Sequence, residues 1–180
     1  MPASPAPPDV VRARVLFGLA QAVAESGYAA VRVADIARHA RISKSTFYAH
    51  FPDKEEAFAA GFRESADELI AEITQVATRA DTVEDGIRAA TEHYLSRLAD
   101  DPAQTRTFIL EVFAAGPAAI AERHEVMERF ATLIRRLFAT RDVDLPETTA
   151  RFLVGGINEL VLAAVAAGRT AQLPALAPDI

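Results

Sequence analysis

The fold of this chain is decided by residues 33–56, which read VADIARHARISKSTFYAHFPDKEE. Small and apolar side chains recur in this stretch at helical spacing: Ile36, Ala37, Ala40, Ile42 and Phe47. Such a set can pack two short helices against each other and against a third, which is what a helix-turn-helix requires. We therefore expect a helix over about 33–40, a short turn, and a second helix that Ser43 caps and that runs to about His50.

Longer helices flank this stretch on both sides. Upstream, apolar residues form one stripe over about residues 10–26, and Gly27 ends that helix because glycine adopts a left-handed conformation at little cost. Downstream, Asp53 and Glu56 have the spacing of a capping box. A long helix is expected to begin there and to link the small basic region to the rest of the chain.

The remaining sequence also has helical periodicity, and no segment alternates like a β-strand over a useful length. Caps, prolines and a Gly-Pro break mark further helix starts at Thr82, Pro102, Pro117 and Pro146, and a Pro-rich tail begins at Leu173. We predict an all-α protein of about eight helices. Its expected parts are a disordered Pro-rich arm over 1–9, an N-terminal three-helix helix-turn-helix domain over 10–56, and a larger helical bundle over 57–180.

Charge is distributed unevenly along the 180 residues. The net charge of −6 by itself opposes binding to nucleic acid, yet residues 10–52 carry six basic and two acidic side chains, a local balance of +4. A basic end on an acidic body is typical of a protein that presents one face to DNA. The chain has no cysteine, which excludes disulfides and thiolate metal sites, and its N-terminus lacks the pattern of a signal peptide or membrane anchor. We expect a cytoplasmic protein without a cofactor.

The central stretch and its flanks resemble the DNA-binding signature of the TetR family of transcriptional regulators. The matching residues are Gly27-Tyr28, Asp35-Ile36-Ala37, Ser43, Thr46-Phe47-Tyr48, His50-Phe51 and Lys54-Glu55. The similarity extends over roughly residues 10–60, and agreement at so many spaced positions is more specific than a short isolated motif. It implies a DNA-binding domain, here called the head, joined to a helical ligand-binding and dimerisation domain, here called the body.

The resemblance also implies which residues meet the DNA. Residues at the start of the second short helix would approach base edges or phosphates, and the side chains around them would reach the backbone. The implied DNA-binding residues are Arg32, Lys44, Ser45, Thr46, Tyr48, His50 and Lys54. Blander alternatives stay open, since Tyr48 can cover the edge of the small core and His50 can cap a carbonyl at the helix end. Arg12 and Arg14 are expected to be solvated charges without partners.

Two positions depart from the family pattern. Arg41 occupies the turn position usually held by glycine, so a positive φ there costs roughly 1 kcal/mol of strain. Arg32 replaces the threonine that commonly caps the first of the two short helices. Its side chain cannot accept the capping bond, but it can reach a phosphate over a longer distance. We expect altered backbone contacts with DNA and retained binding.

The body is rich in Phe, Leu, Val and Ala, with a few polar groups on mainly apolar helices. Ligand pockets in helical proteins have this character, so we expect a small apolar or amphipathic effector. The candidate ligand-binding residues are Phe62, Tyr94, Phe108, Glu111, His124, Met127 and Asn158. Each polar member has an alternative as a surface group or as a core group satisfied within the chain.

The last predicted helix, from Pro146 to Gly168, is apolar nearly all round. Such a helix in a small protein indicates that a second subunit covers one face. Its adjacent glycines weaken the helix but permit close packing against a partner. The candidate dimer-interface residues are Gly155, Gly156, Leu160 and Ala164. A local kink or packing within the chain is the alternative.

These patterns predict a ligand-responsive transcriptional regulator and not an enzyme. We expect a homodimeric repressor that binds a pseudo-palindromic operator in double-stranded DNA and is released by an effector of unknown identity. One alternative is a helix-turn-helix architectural or protein-interaction module without an effector. A helical-bundle enzyme is disfavoured because the sequence has no Glu-x-x-His pair, no zincin motif, and no glycine motif for a phosphate or a nucleophile.

Overall fold

The computed structural model of the protein describes residues 7–140 and 142–180. The α-helices are α1 (Pro8–Ser26), α2 (Val33–Ala40), α3 (Lys44–His50), α4 (Lys54–Thr78), α5 (Val83–Asp100), α6 (Pro102–Ile109), α7 (Pro117–Ala139) and α8 (Glu147–Ala166). Two 3₁₀ helices, Glu111–Ala114 and Thr170–Asp179, complete the helical elements of these ranges, which contain no β-strand. The predicted all-α class is confirmed. α1 begins two residues before its predicted start, and residues 1–6 of the expected arm lie outside the described residues.

Side-chain caps fix the starts of α3, α4, α5 and α6. In each case the residue before the helix accepts a hydrogen bond, 2.8–3.0 Å long, from the backbone N–H three residues further on: Ser43, Asp53, Thr82 and Asp101. These bonds satisfy amide groups that have no partner inside their own helix. The local sequence therefore sets where these helices begin, and the predicted bounds of α2 and α3 agree with the structure.

The head consists of α1 to α3 and the start of α4, packed around buried aromatic and aliphatic side chains. Phe47, Phe51 and Ile36 have no more than 2% of their surface exposed. Gly18 lets α1 lie directly on α2, because a Cβ at this position would be 2.7 Å from the Ala40 amide nitrogen. This close approach holds α2 in place and thereby orients α3.

Arg14 completes the turn between α2 and α3. Its guanidinium donates to the carbonyl oxygens of Ala40, at 2.7 Å, and Arg41, at 2.6 Å. These carbonyls lie at the C-terminal end of α2, where a helix has no further amides of its own to bind them. Arg41 adopts φ 54° and ψ 49°, so a left-handed residue stands in the turn as expected. The expectation that the two arginines of α1 lack partners was wrong, since Arg12 also pairs with Glu64 of α4 at 2.6 Å.

In the body, α4, α5, α7 and α8 surround an apolar interior, and α6 lies against α1. The 3₁₀ helix Thr170–Asp179 follows α8 and packs against α5, with Leu173 fully buried. The sequence predicted only a Pro-rich tail here. The segment packs because Leu173 and Leu176 join an apolar cluster with Leu95 and Val165, contacts that local sequence does not reveal.

Candidate DNA-binding surface and ligand cavity

α3 turns its apolar side to the head and its polar side to solvent. Phe47 is fully buried, whereas Lys44 and Ser45 are exposed. The Tyr48 ring stands edge-on to Phe47, with 5.5 Å between ring centroids, yet 55% of this tyrosine is exposed. A tyrosine that only covered the edge of the core would not need to be so exposed. The phenol of Tyr48 is therefore accessible to DNA. Contact between these α3 residues and DNA stays a prediction.

The other candidates lie around the same surface. The Thr46 hydroxyl is 2.8 Å from that of Ser43, which caps α3, and His50 is half-buried at the last position of this helix. Arg32 precedes α2 and is exposed, and its side chain accepts no capping bond. Instead, the Asp35 carboxylate accepts a hydrogen bond from the Arg32 N–H at 3.0 Å. The Arg32 side chain is exposed, and its contact with a phosphate stays a prediction.

Lys54 is the exception among the predicted DNA contacts. Its ammonium donates to the carbonyl oxygens of Tyr28, at 2.9 Å, and Val31, at 3.0 Å, and lies 4.2 Å from the centre of the Tyr28 ring. An ammonium has three donors, so most of its capacity is used inside the subunit to fix the loop between α1 and α2. Burial, reinforced by the carboxylates of Glu55 and Asp53, raises the pKa of Tyr28 to about 12. Lys54 therefore positions this loop, and contact between its remaining N–H and a phosphate stays a prediction.

Two neighbouring cavities occupy the body. The larger, of about 360 Å³, lies between α4, α5, α7 and α8 and has mainly aliphatic and aromatic walls. The smaller, of about 90 Å³, lies beside α4, α5 and α6. The larger volume falls in the range of small-molecule sites, and hydrocarbon walls favour an apolar ligand. Of the predicted pocket residues, Tyr94, Met127 and Asn158 line both cavities, and Phe62 and Phe108 line the smaller one.

Two predicted pocket residues lie elsewhere. Glu111 accepts a hydrogen bond from the Tyr28 backbone N–H at 2.9 Å and lies 3.7 Å from the Arg106 guanidinium, so its carboxylate is engaged at the boundary between head and body. His124 is exposed on α7 and lines neither cavity. Both assignments were wrong, because a polar residue on an apolar helix can face a neighbouring domain or solvent as readily as a cavity.

No sequence signal marked the polar edge of the smaller cavity. This edge is formed by Ser65, Glu68, Arg97 and Gln104. Arg97 pairs with Glu72 at 3.0 Å, and the Nε2 atom of His93 lies 2.9 Å from the same carboxylate. The hydrogen bond with His93, together with the charge of Arg97, lowers the pKa of Glu72. Charged residues are ordinary on helix surfaces, so their sequence positions alone do not distinguish a cavity edge.

α6 joins the cavities to the head. Thr107 is fully buried, and its hydroxyl donates to the Ala20 carbonyl of α1 at 3.0 Å. The adjacent Phe108 lines the smaller cavity and packs edge-on against Phe58 and Phe62 of α4. One short helix therefore contacts a cavity, α1 and α4 at once.

α8 carries an exposed apolar surface. Phe152 is 78% exposed and Leu160 is 47% exposed, and apart from the adjacent residues and backbone of α8 itself no described atom lies within 4 Å of a Cβ built at Gly155 or Gly156. The candidate Ala164 is instead buried inside the subunit, in the cluster that the C-terminal 3₁₀ helix covers, and is corrected to a core residue. By length and composition α8 could also cross a membrane, with a mean hydropathy of 1.4, but core helices of soluble proteins pass the same test.

A head with an exposed polar helix, tied to a helical body with an apolar cavity, defines the class of helix-turn-helix transcriptional regulators that have a ligand-binding domain. Residues 19–60 match the family model of bacterial regulatory proteins, tetR family. The DNA-binding head of this chain is therefore of the tetR-family type. Within residues 7–140 and 142–180, no group of three or more His, Asp or Glu side chains could hold a metal ion.

Similar proteins are regulators as well. The chain is 24% identical over 151 residues to the HTH-type transcriptional activator FasR of Mycolicibacterium smegmatis, covering 84% of this chain and 68% of that relative. It is similar in structure to the fatty acid degradation regulator FadR of Bacillus halodurans, with 22% identity, a TM-score of 0.81 and coverage of 93% and 94% of the two chains. FadR of Bacillus subtilis, solved in complex with stearoyl-CoA, has 20% identity, a TM-score of 0.82 and the same 93% and 94% coverage. At this identity the two structures establish a shared fold.

Proposed function

We propose that this protein is a cytoplasmic, homodimeric repressor that binds a pseudo-palindromic operator and is released by a long-chain fatty-acyl thioester. The observation that carries the effector class is the cavity of about 360 Å³ with hydrocarbon walls. Burial of apolar surface is favourable in proportion to its area, so a chain of methylene groups gains most from such walls. FadR of Bacillus subtilis, a regulator of the same fold, was solved with stearoyl-CoA, which supports an acyl thioester over other apolar ligands.

Operator recognition is assigned to the exposed face of α3. Lys44 supplies a point charge for a phosphate, and Tyr48 reaches the backbone or the bases. Two exposed arginines flank this face: Arg32, which precedes α2, and Arg38 within α2. Because the whole chain has a net charge of −6, the small basic surface also directs DNA to the head and away from the body.

A two-fold dimer through α8 explains its exposed apolar face. A partner would cover Phe152 and Leu160. Because Gly155 and Gly156 have no side chains, they would let two helices approach closely. Such a dimer presents its two recognition helices about 34–36 Å apart, one turn of DNA, or at a multiple of that distance. Two-fold symmetry in the protein then calls for two-fold symmetry in the operator.

Effector binding is proposed to act on the head through α6 and α4. A ligand that displaces Phe108 moves α6, and the bond from Thr107 to Ala20 transmits this movement to α1. The separation of the two heads in the dimer then changes. The effector can weaken DNA binding at most by the ratio of its own affinities for the two conformations of the protein. The function therefore needs only binding equilibria and no catalytic step.

Titration with stearoyl-CoA tests this function. Duplexes bound by the purified protein are first selected from a random pool, and we expect paired, inverted half-sites. Saturating stearoyl-CoA is then expected to lower the affinity for the selected operator roughly tenfold. Protection of a single half-site by a monomer would contradict the dimer, and an affinity unchanged by acyl-CoA of any chain length would favour an architectural module. A reporter gene behind the operator shows whether the protein represses or activates transcription. This check is needed because the relative FasR is an activator by name.

A further inference from the structure

The two cavities of the body meet at a waist, which we define as the residues that line both of them: Tyr94, Met127, Phe130 and Asn158. On one side of the waist lies the hydrocarbon cavity of about 360 Å³. On the other side lies the cavity of about 90 Å³, whose edge is polar. The waist is thus the boundary between an apolar and a polar part of one site.

Two waist side chains are polar and have no hydrogen-bond partner within the part of the chain that the structure describes. Asn158 is 8% exposed, and neither its amide nor the Tyr94 hydroxyl makes a hydrogen bond to a described group. The polar atoms of both side chains open onto the cavities, and a ligand that displaces water from them would leave them unsatisfied unless it supplied a partner. Two such groups at one boundary indicate a ligand group that bonds to both.

The chemistry of this pair favours a neutral acceptor. Desolvation raises the pKa of Tyr94 to about 12, so its hydroxyl keeps its proton and can donate. The Asn158 amide adds two N–H donors. No waist residue is charged, and Arg97, on the smaller cavity, is already paired with Glu72 at 3.0 Å. A carboxylate at the waist would lack a counter-charge, whereas a carbonyl oxygen has two lone pairs and can accept from both side chains.

We propose that Tyr94 and Asn158 together bind the carbonyl oxygen of the acyl thioester, with the alkyl tail in the larger cavity and the polar remainder leaving past the smaller one. This inference rests on the acyl effector of the proposed function and adds the group by which the effector is recognised. The waist then distinguishes an acyl thioester from the free fatty acid of the same length.

Two ligands that differ only in the carbonyl isolate this contact. Binding of stearoyl-CoA is compared by calorimetry with binding of S-octadecyl-CoA, the thioether that lacks the carbonyl oxygen, on the purified full-length protein. For the wild type we expect the thioester to bind about tenfold more tightly, the effect of one or two hydrogen bonds in a buried site. Tyr94→Phe and Asn158→Leu should each reduce this ratio, and the double variant should abolish it. Thr91→Val, which removes a hydroxyl from the larger cavity only, should keep it.

The outcomes separate the two proposals. Equal binding of both ligands by the wild type overturns carbonyl recognition at the waist and leaves the acyl effector in place, whether or not any variant folds. Binding of neither ligand overturns the acyl effector, and carbonyl recognition with it. Stearate that binds as tightly as stearoyl-CoA overturns the preference for a neutral carbonyl. Circular-dichroism melting of each variant checks that a changed ratio does not reflect lost structure.

Discussion

The head and the body are built from the same kind of amphipathic helix, but their interiors differ. In the head, Phe47, Phe51 and Phe58 have at most 2% of their surface exposed, and Gly18 brings α1 against the backbone of α2. In the body, the apolar stripes of four helices meet around a cavity of about 360 Å³. An apolar stripe specifies which face of a helix points inward, while the sizes of individual side chains decide how closely the helices approach. A tight head suits a fixed DNA-reading surface, and a hollow body suits an exchangeable ligand.

The largest effect is expected where the head is tightest. In Gly18→Ala the new Cβ would lie 2.7 Å from the Ala40 nitrogen and 2.8 Å from the Ile36 carbonyl oxygen, backbone atoms that cannot rotate away. We expect the free energy of unfolding, measured with urea, to fall by about 3 kcal/mol. Gly61→Ala is the matched control, because its Cβ would meet only side-chain atoms, of Phe108 at 3.1 Å and Leu16 at 3.4 Å, and no backbone. Its expected change is under about 1 kcal/mol, and equal losses in both variants would show that close approach of α1 and α2 is not what stabilises the head.

The next effect concerns the outer face of the head. Tyr48→Ala and Lys44→Ala are each expected to weaken operator binding roughly tenfold. In Lys44→Ala the logarithm of the affinity should also fall less steeply with the logarithm of salt concentration, by the amount of about one phosphate contact. Both side chains are exposed, so the free energy of unfolding should change by less than about 0.5 kcal/mol. Fluorescence anisotropy over a range of salt concentrations measures this, with exposed His124→Ala as the control in the body. Wild-type affinity in both α3 variants would remove α3 as the reading helix.

A smaller effect tests the connection between the two regions. Thr107→Val keeps the side-chain shape but removes the hydroxyl that donates to Ala20 of α1. We expect the free energy of unfolding to fall by about 1 kcal/mol and the operator response to stearoyl-CoA to shrink. Thr105→Val is the matched control, since its buried hydroxyl donates to Leu98 within the body at 2.7 Å. It should lose similar stability and keep the response; if both variants respond like the wild type, the contact between α1 and α6 does not carry the signal.

The smallest effect concerns pH and lies within the body. The hydrogen bond with His93 and the charge of Arg97 lower the pKa of Glu72, so the folded protein binds a proton there less readily than the unfolded chain does. The stability from this carboxylate is therefore present above the ordinary value of 4.5 and is lost as pH falls through the lower folded pKa. The difference in unfolding free energy between wild type and Glu72→Gln, measured with urea, should be present at neutral pH and shrink below pH 4.5. If this difference in unfolding free energy persisted unchanged in acid, its cause would be the shape of the side chain and not its charge.

Local signals predicted the head well and its long-range contacts poorly. The bounds of α2, the Ser43 cap and the left-handed Arg41 all depend on neighbours within a few residues, and all agree with the structure. The partners of Lys54 and Glu111 inside the subunit were missed because they lie far away in sequence; Glu111 accepts from Tyr28 across 83 residues. A charged residue at a given helix position looks the same to local analysis whether it faces DNA, solvent or another domain.

The body was predictable as helices but only partly as a site. Tyr94 and Asn158 stood out because polar groups are unusual on apolar stripes, and both line the cavities. Whether four stripes close on one another or leave a cavity depends on the summed volumes of side chains from distant segments, which periodicity does not encode. Ala164 was misassigned for a related reason, because the covering 3₁₀ helix contains Pro174 and Pro178, which are signals of irregular chain.

The central claim is that the α3 surface and the body cavity are two sites of one switch. The most direct measurement is reciprocity: the factor by which saturating stearoyl-CoA weakens operator binding, compared with the factor by which saturating operator weakens stearoyl-CoA binding, in one buffer. We predict equal factors, in the range of roughly 5- to 150-fold. Tight binding of stearoyl-CoA that leaves operator affinity unchanged would contradict the claim.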